Sequence, residues 1–179
     1  MRAEFRLALL AGLLVMFGDL SPLSAKEDLT LESRIKAAYI LKFIPFMEWN
    51  ADTPLPVDGV TIGVIGSTGI FSALEEFKNA NAKVKINLVS LSSEDDLTRV
   101  HILFVDKALA NHLPKLVAKL KDRPVLTIGE SDNFVSKGGI IMFVKEAGKV
   151  KFEINVNAAK RAGLKISARV LKAARRVHN

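Results

Sequence analysis

The six residues Val100–Val105 read VHILFV, and after His101 none of them is polar. A strand built from such a run has no face to offer to water and must be covered on both sides. Val60–Ile65 (VTIGVI) and Val125–Ile128 (VLTI) read the same way. In Val84–Val89, Val84, Ile86 and Leu88 alternate with Lys85 and Asn87. Helical stretches lie between these strands, at Ile70–Lys78 and at Leu109–Leu120, where Pro114 requires the helix proper to begin near it. Strands that alternate with helices predict an α/β fold of three layers, a mainly parallel sheet with helices on both faces.

The pattern changes after Gly129. Ile140–Val144 and Val150–Ile154 flank KEAGK, which predicts a β-hairpin with Gly148 free to take a positive φ. Asn157 is expected to cap a short helix ended by Gly163, and Ser167 to cap a final helix running to about His178. The fold thus ends in a hairpin plus helix.

Arg2 and Arg6, the apolar run Leu7–Phe17, then Ser21, Pro22 and Ala25 read as a secretion signal cut near Ala25. The run is shorter than the roughly 20 apolar residues that span a bilayer. Residues 26–179 then form one domain. A hydrophobic content of 49% with 25% charged residues excludes a disordered chain. The absence of cysteine excludes disulfides, thiolate metal sites and cysteine nucleophiles. The net charge of +7 is concentrated late, where Lys149–Asn179 has Glu153 as its one acid. In an exported protein this excess points to an acidic partner or an anionic membrane surface, not to nucleic acid.

Three constellations bear on function. GVIGSTG follows a strand, but Gly63, Gly66 and Gly69 give GxxGxxG and not the dinucleotide spacing, so it reads as a tight strand-to-helix turn. At the carboxyl ends of the strands lie Ser67, Thr68, Asp106, Glu130 and Ser131, the place to look for a ligand pocket in an open α/β sheet. Helix capping is the commoner use of such residues. Lys165, Arg169, Lys172 and Arg176 recur at helical spacing as one basic stripe, with Ile166, Val170, Ala174 and Val177 on another face. His101, His112 and His178 do not pair at metal-ligand spacing, and no cofactor motif is present.

The first helix, Ser33–Phe43, carries Tyr39 and Phe43 and runs into Pro45. Proline lacks an N–H and disfavours the α conformation at Ile44, so the helix must end or kink there. Phe46 and Trp49 are then expected to turn back towards the first strand. They either plug the core, the commoner fate of aromatics, or present a partner-binding patch.

The segments RIKAAYILKFIPFMEW, VHILFV, VLTIGESDNFVSKGGIIMF and VKFEINVNAAKRAGLKISARVLKAAR, in this order, resemble the YfiR-like (YfiR/HmsC) family of exported bacterial proteins. The resemblance implies a periplasmic regulator and not an enzyme. It would bind the periplasmic domain of an inner-membrane signalling protein, a diguanylate cyclase or another sensor, and repress it. A homodimer is also implied. The best-known relatives carry disulfides, which this chain cannot form. A small-molecule receptor with its pocket at the strand ends is the alternative, whereas a hydrolase would need a nucleophile–base pair that the sequence does not display.

Overall fold

Pro45 ends the first helix where the sequence puts the break. A computed structural model describes residues 30–49, 59–80, 85–93, 95–120 and 123–179. The expected export segment and Val84 lie outside these residues. Helix α1 (Leu31–Phe43) starts two residues before the expected Ser33, because the Thr30 side chain accepts from the Ser33 N–H at 3.1 Å and caps it. One 3₁₀ turn, Ile44–Phe46, follows with the proline at its start. The chain then extends into β1 (Met47–Glu48), which pairs antiparallel with β8 (Lys165–Ile166). This corrects the expected return towards the first strand of the main sheet. Met47 is extended at φ −102°, and the Phe46 carbonyl accepts from the Ser167 N–H at 3.0 Å, which directs the segment to β8.

The main sheet contains β2 (Val60–Ile65), β3 (Ile86–Leu91), β4 (Ile102–Val105), β5 (Leu126–Gly129), β6 (Ile141–Glu146), β7 (Lys149–Asn155) and β9 (Arg176–His178). Their spatial order is β3-β2-β4-β5-β6-β7-β9. From β3 to β6 all neighbours are parallel, β6 and β7 form the antiparallel hairpin, and β9 lies parallel to β7. Strand β3 sits two residues later than the expected alternating run, because its ladder to β2 spans Val60↔Ile86 to Ile65↔Leu91.

Two apolar cores flank the sheet. Helices α1 and α2 (Thr68–Ala80) pack with Ile62, Phe104 and Phe152 in the larger one. Helix α3 (Leu113–Lys119), begun at Pro114 as required, packs with Leu103, Val105 and Phe134 in the smaller one. Strand β4 feeds both cores with alternate residues, and all four of them are buried. The smaller core holds the fully buried Phe134 ring between Gly129 and Gly139. A Cβ at either glycine would overlap the ring, which accounts for glycine at both positions.

Two local expectations are corrected. Helix α4 (Val156–Arg161) is capped by Asn155, not Asn157: the Asn155 Oδ1 accepts from the Ala158 N–H at 2.8 Å. The Asn155 amide also donates to the Val135 carbonyl at 2.7 Å, a tertiary bond that local spacing cannot reveal. The final helix does not run to His178. Helix α5 (Ala168–Ala173), capped by Ser167 as expected, ends there, and Ala174 is extended at ψ 141°. The chain then becomes β9. The reason is Glu153, which is only 3% exposed on β7. A buried carboxylate needs charged or hydrogen-bonding partners. Arg175 pairs with it, the His178 Nε2 lies 2.7 Å from it, and the Arg175 N–H donates to the Phe152 carbonyl at 2.8 Å. A continued helix would forgo these contacts and leave the outer edge of β7 open.

The hairpin turn is Ala147–Gly148, with φ 47° and 75°, between the paired Glu146 and Lys149. Both positions require a positive φ, which costs an alanine about 1 kcal/mol. Ala147→Asn is expected to raise unfolding stability by about 0.5 kcal/mol in urea titration, since asparagine tolerates this conformation. Gly139→Ala is expected to lower it by about 2–3 kcal/mol through overpacking against Phe134.

Candidate functional site

The break at Pro45 assembles a small surface from both ends of the chain. The β1–β8 ribbon sets Glu48 beside Lys165, with Nζ and carboxylate 3.0 Å apart and both side chains largely exposed. Ser167, just after β8, starts α5 so that the Arg169 guanidinium lies 5.4 Å above the Phe46 ring. That is cation–π range. Trp49, next along from β1, donates its indole N–H to the Pro124 carbonyl at 3.1 Å. Phe46 and Trp49 are both partly buried against the larger core. They therefore fill the core and also keep an exposed rim.

Four of the residues singled out in the sequence thus share one surface: Phe46, Trp49, Lys165 and Arg169. The continuous basic stripe does not form. Lys165 is on β8, Lys172 is on α5 and Arg176 is on β9, so no single helix carries them. The helical spacing was real only from Arg169 to Lys172. Arg176 instead joins Arg175 in holding the Glu153 carboxylate charged. Burial pushes the Glu153 pKa up, but the His178 hydrogen bond and the two arginine charges outweigh it and leave it below its ordinary value.

At the carboxyl ends of the strands, two of the five polar side chains, Ser67 and Asp106, cap helices. The Ser67 hydroxyl accepts from the Ile70 N–H at 3.3 Å, with Thr68 opening α2, and the Asp106 carboxylate accepts from the Ala108 N–H at 2.8 Å. Strand order reverses between β2 and β4, where a nucleotide would approach in an open α/β sheet. Here Leu109 and Asp106 close over Gly66, whose added Cβ would meet Leu109 at 2.8 Å. Ser131 is buried, and its carbonyl accepts from the Phe134 N–H at 3.0 Å.

Glu130 is different. It pairs with Lys36 of α1, which also contacts Glu32 at 2.7 Å, and Glu32 contacts Lys145 at 2.8 Å. With Lys107 and Phe143 these residues line a cleft of about 280 Å³. The sequence reading missed Lys36, although its i,i+4 spacing from Glu32 was visible. A second, apolar cavity of about 330 Å³ lies between α3 and α4, lined by Val117, Leu120, Ile140 and Ala158 with Arg161. No local pattern marks it, because it forms where two helices meet. Among the described residues no group of histidine and carboxylates can hold a metal ion. No helix among them is long and apolar enough to cross a membrane.

The family model described as YfiR/HmsC-like matches residues 33–175. The chain belongs to the YfiR/HmsC-like family. The match takes in the whole β1–β8 surface and every strand of the main sheet except β9, which begins at Arg176. YfiR/HmsC-like proteins are periplasmic and regulatory, not catalytic. No curated protein sequence matches the chain. Among solved structures it resembles a conserved domain protein from Vibrio cholerae, at TM-score 0.53 and 16% identity over 81% of this chain and 60% of that one. It also resembles an ABC domain from Streptococcus pneumonia solved with L-Trp, at TM-score 0.57 and 18% identity over the same shares. The chain thus spans less than two thirds of either structure, and at these identities the likeness is one of fold.

The ion cluster on α1 gives a pH dependence. Hydrogen bonds from Lys145 and then Lys36 hold the Glu32 carboxyl at about 2, down from 4.5. Burial pushes the Lys36 amine down, but Glu130 and Glu32 outweigh it and leave it above its ordinary value. A depressed carboxylate contributes stability above its unfolded pKa, and this is lost as pH falls through the folded value. Glu32→Gln is therefore expected to cost about 1 kcal/mol at neutral pH, a figure reduced for solvent screening. The variant should also show a shallower loss of stability than wild type between pH 4.5 and about 2, read by thermal melts across that window.

Proposed function

We propose that this YfiR/HmsC-like protein is exported, with cleavage near Ala25, and acts in the periplasm by docking on the periplasmic domain of an inner-membrane signalling enzyme, a diguanylate cyclase, which it holds inactive. The observation that carries the reading is the family match over residues 33–175. The surface around Phe46 and Arg169 fits a docking role: partly buried aromatics with an exposed cation beside them are common anchors of interfaces. The late concentration of positive charge adds long-range attraction to an acidic partner. Repression then requires only that the protein bind the inactive arrangement of the cyclase more tightly than the active one.

A hydrolase draws no support from the histidines that have described contacts. His101 Nδ1 accepts from the Thr61 N–H at 3.0 Å, and His178 Nε2 lies 2.7 Å from the Glu153 carboxylate that ties β9 to β7, so each of these histidines has a structural contact. The receptor reading has one observation in its favour, the apolar cavity beside Arg161. A ligand seated there would raise the melting temperature of the protein.

Deleting the gene is expected to raise cyclic-di-GMP and biofilm formation, and an unchanged nucleotide level would count against repression of a cyclase. Charge reversal at Lys165 and Arg169 together is expected to weaken binding to the partner's periplasmic domain by about tenfold while leaving the melting temperature near wild type. The wild-type affinity should fall as salt rises. Affinity that ignores both the reversal and the salt would remove this surface from the account.

A further inference from the structure

The charged cleft beside α1 opens where the parallel strands end. Lys107 follows β4, Glu130 follows β5, and Lys145 lies in the last part of β6, which runs parallel to β5. Ligands of open α/β sheets gather at these carboxyl ends. The base of the cleft is charged but satisfied. The Lys36 side chain is only 11% exposed, and its ammonium pairs with Glu130 and with one oxygen of Glu32. Lys145 takes the other oxygen of Glu32. Both carboxylates are thus committed to amines of the protein itself. The cations are not all committed. Three lysines face two glutamates in this cleft of about 280 Å³, so one positive charge is left over. Lys107 has no ion pair or hydrogen bond among the described residues. The remaining wall is apolar: Phe143 and Val150, both buried in the larger core, reach the cleft there.

We propose that this cleft binds a small organic monocarboxylate, a carboxylate carried on a short apolar body. The head is held by the Lys107 and Lys145 ammonium groups, which keep N–H donors free for it. The body lies on Phe143 and Val150. Charge selects the class. One negative charge cancels the positive charge left over, whereas a dianion such as phosphate overshoots it and gains nothing from the apolar wall. A cation would have to compete with Lys36 for carboxylates that are already taken. Size agrees, because a cleft of this volume stands at the small end of ligand sites. None of its lining residues lines the apolar cavity between α3 and α4. The β1–β8 surface lies past the far end of α1, so binding here and docking there are separable. The inference goes beyond the repressor reading and stands or falls separately from it.

Calorimetric titration of the purified protein with hexanoate tests it, with hexylammonium and inorganic phosphate as the other arms. Hexanoate is expected to bind with a Kd of about 1 mM or tighter, and more weakly as salt rises. Phosphate should bind at least about tenfold more weakly, and hexylammonium not at all. Lys107→Met removes an ammonium that holds nothing in the fold. Its thermal melt should match wild type while its affinity for hexanoate falls by about tenfold. Arg161→Met, at the apolar cavity, should leave that affinity unchanged. Nuclear magnetic resonance of wild type gives a second readout: hexanoate should shift the Lys107 and Lys145 amides and not those of Val117 and Arg161. Should Lys107→Met melt early, these shifts decide. The proposal is overturned by a hexanoate Kd weaker than about 1 mM, or by phosphate or hexylammonium binding as tightly as hexanoate. Binding that survives Lys107→Met, or that is lost with Arg161→Met, overturns it equally, because the carboxylate then sits elsewhere.

Discussion

A strand without a polar face cannot lie at a surface, and β4 is such a strand. Ile102 and Phe104 pack into one core and Leu103 and Val105 into the other. Burying a side chain of this kind is worth about 2 kcal/mol, and four in succession repay the ordering of a layer on each side. The helices are placed accordingly. Helices α1 and α2 cover the face of Phe104, and α3 with the Phe134 loop covers the face of Leu103. The chain either side of Phe134 comes so close to its ring that glycine is required at 129 and 139.

Within that frame, three local breaks position the surfaces that matter for function. Pro45 stops α1 and frees Met47 and Glu48 to pair with β8. This joins the beginning and the end of the described chain at Phe46 and Arg169. The buried Glu153 carboxylate draws Arg175 and His178 back across β7 and turns the last residues into an edge strand. Among the described residues, the ladder of β3 to β2 puts an uncharged strand at the opposite end of the sheet. Stability without disulfides comes from the two cores and from paired charges that are themselves partly buried, of which Lys36 with Glu130 is the clearest. Leaving either partner alone at that depth would cost more than the pair gains over solvent.

Much of the candidate surface could be read from residue types but not from spacing. The aromatic and basic residues Phe46, Trp49, Lys165 and Arg169 were visible as chemistry. Their meeting was not, because more than a hundred residues separate them and a two-residue ribbon brings them together. Helical spacing also misled. Lys165, Arg169, Lys172 and Arg176 fit one stripe, yet pairing with β1 takes the first and pairing with β7 takes the last. Of the polar residues at the strand ends, the Ser67 and Asp106 side chains cap helices, whereas Glu130 finds a partner on α1 far away in sequence.

The sequence by itself determined the alternation of strands and helices, the parallel sheet buried on both faces, the break at Pro45, the hairpin with its positive-φ glycine and the family. All of these follow from short-range physics, namely apolar periodicity, a missing N–H and the conformational freedom of glycine, or from the order of motifs. Tertiary structure alone decided the β1–β8 ribbon, the conversion of the last turns into β9, the cap at Asn155 and the charged cleft around Lys36. Each of these turns on a hydrogen bond or ion pair between distant residues, and no local pattern records which distant group a carboxylate or a backbone edge will find.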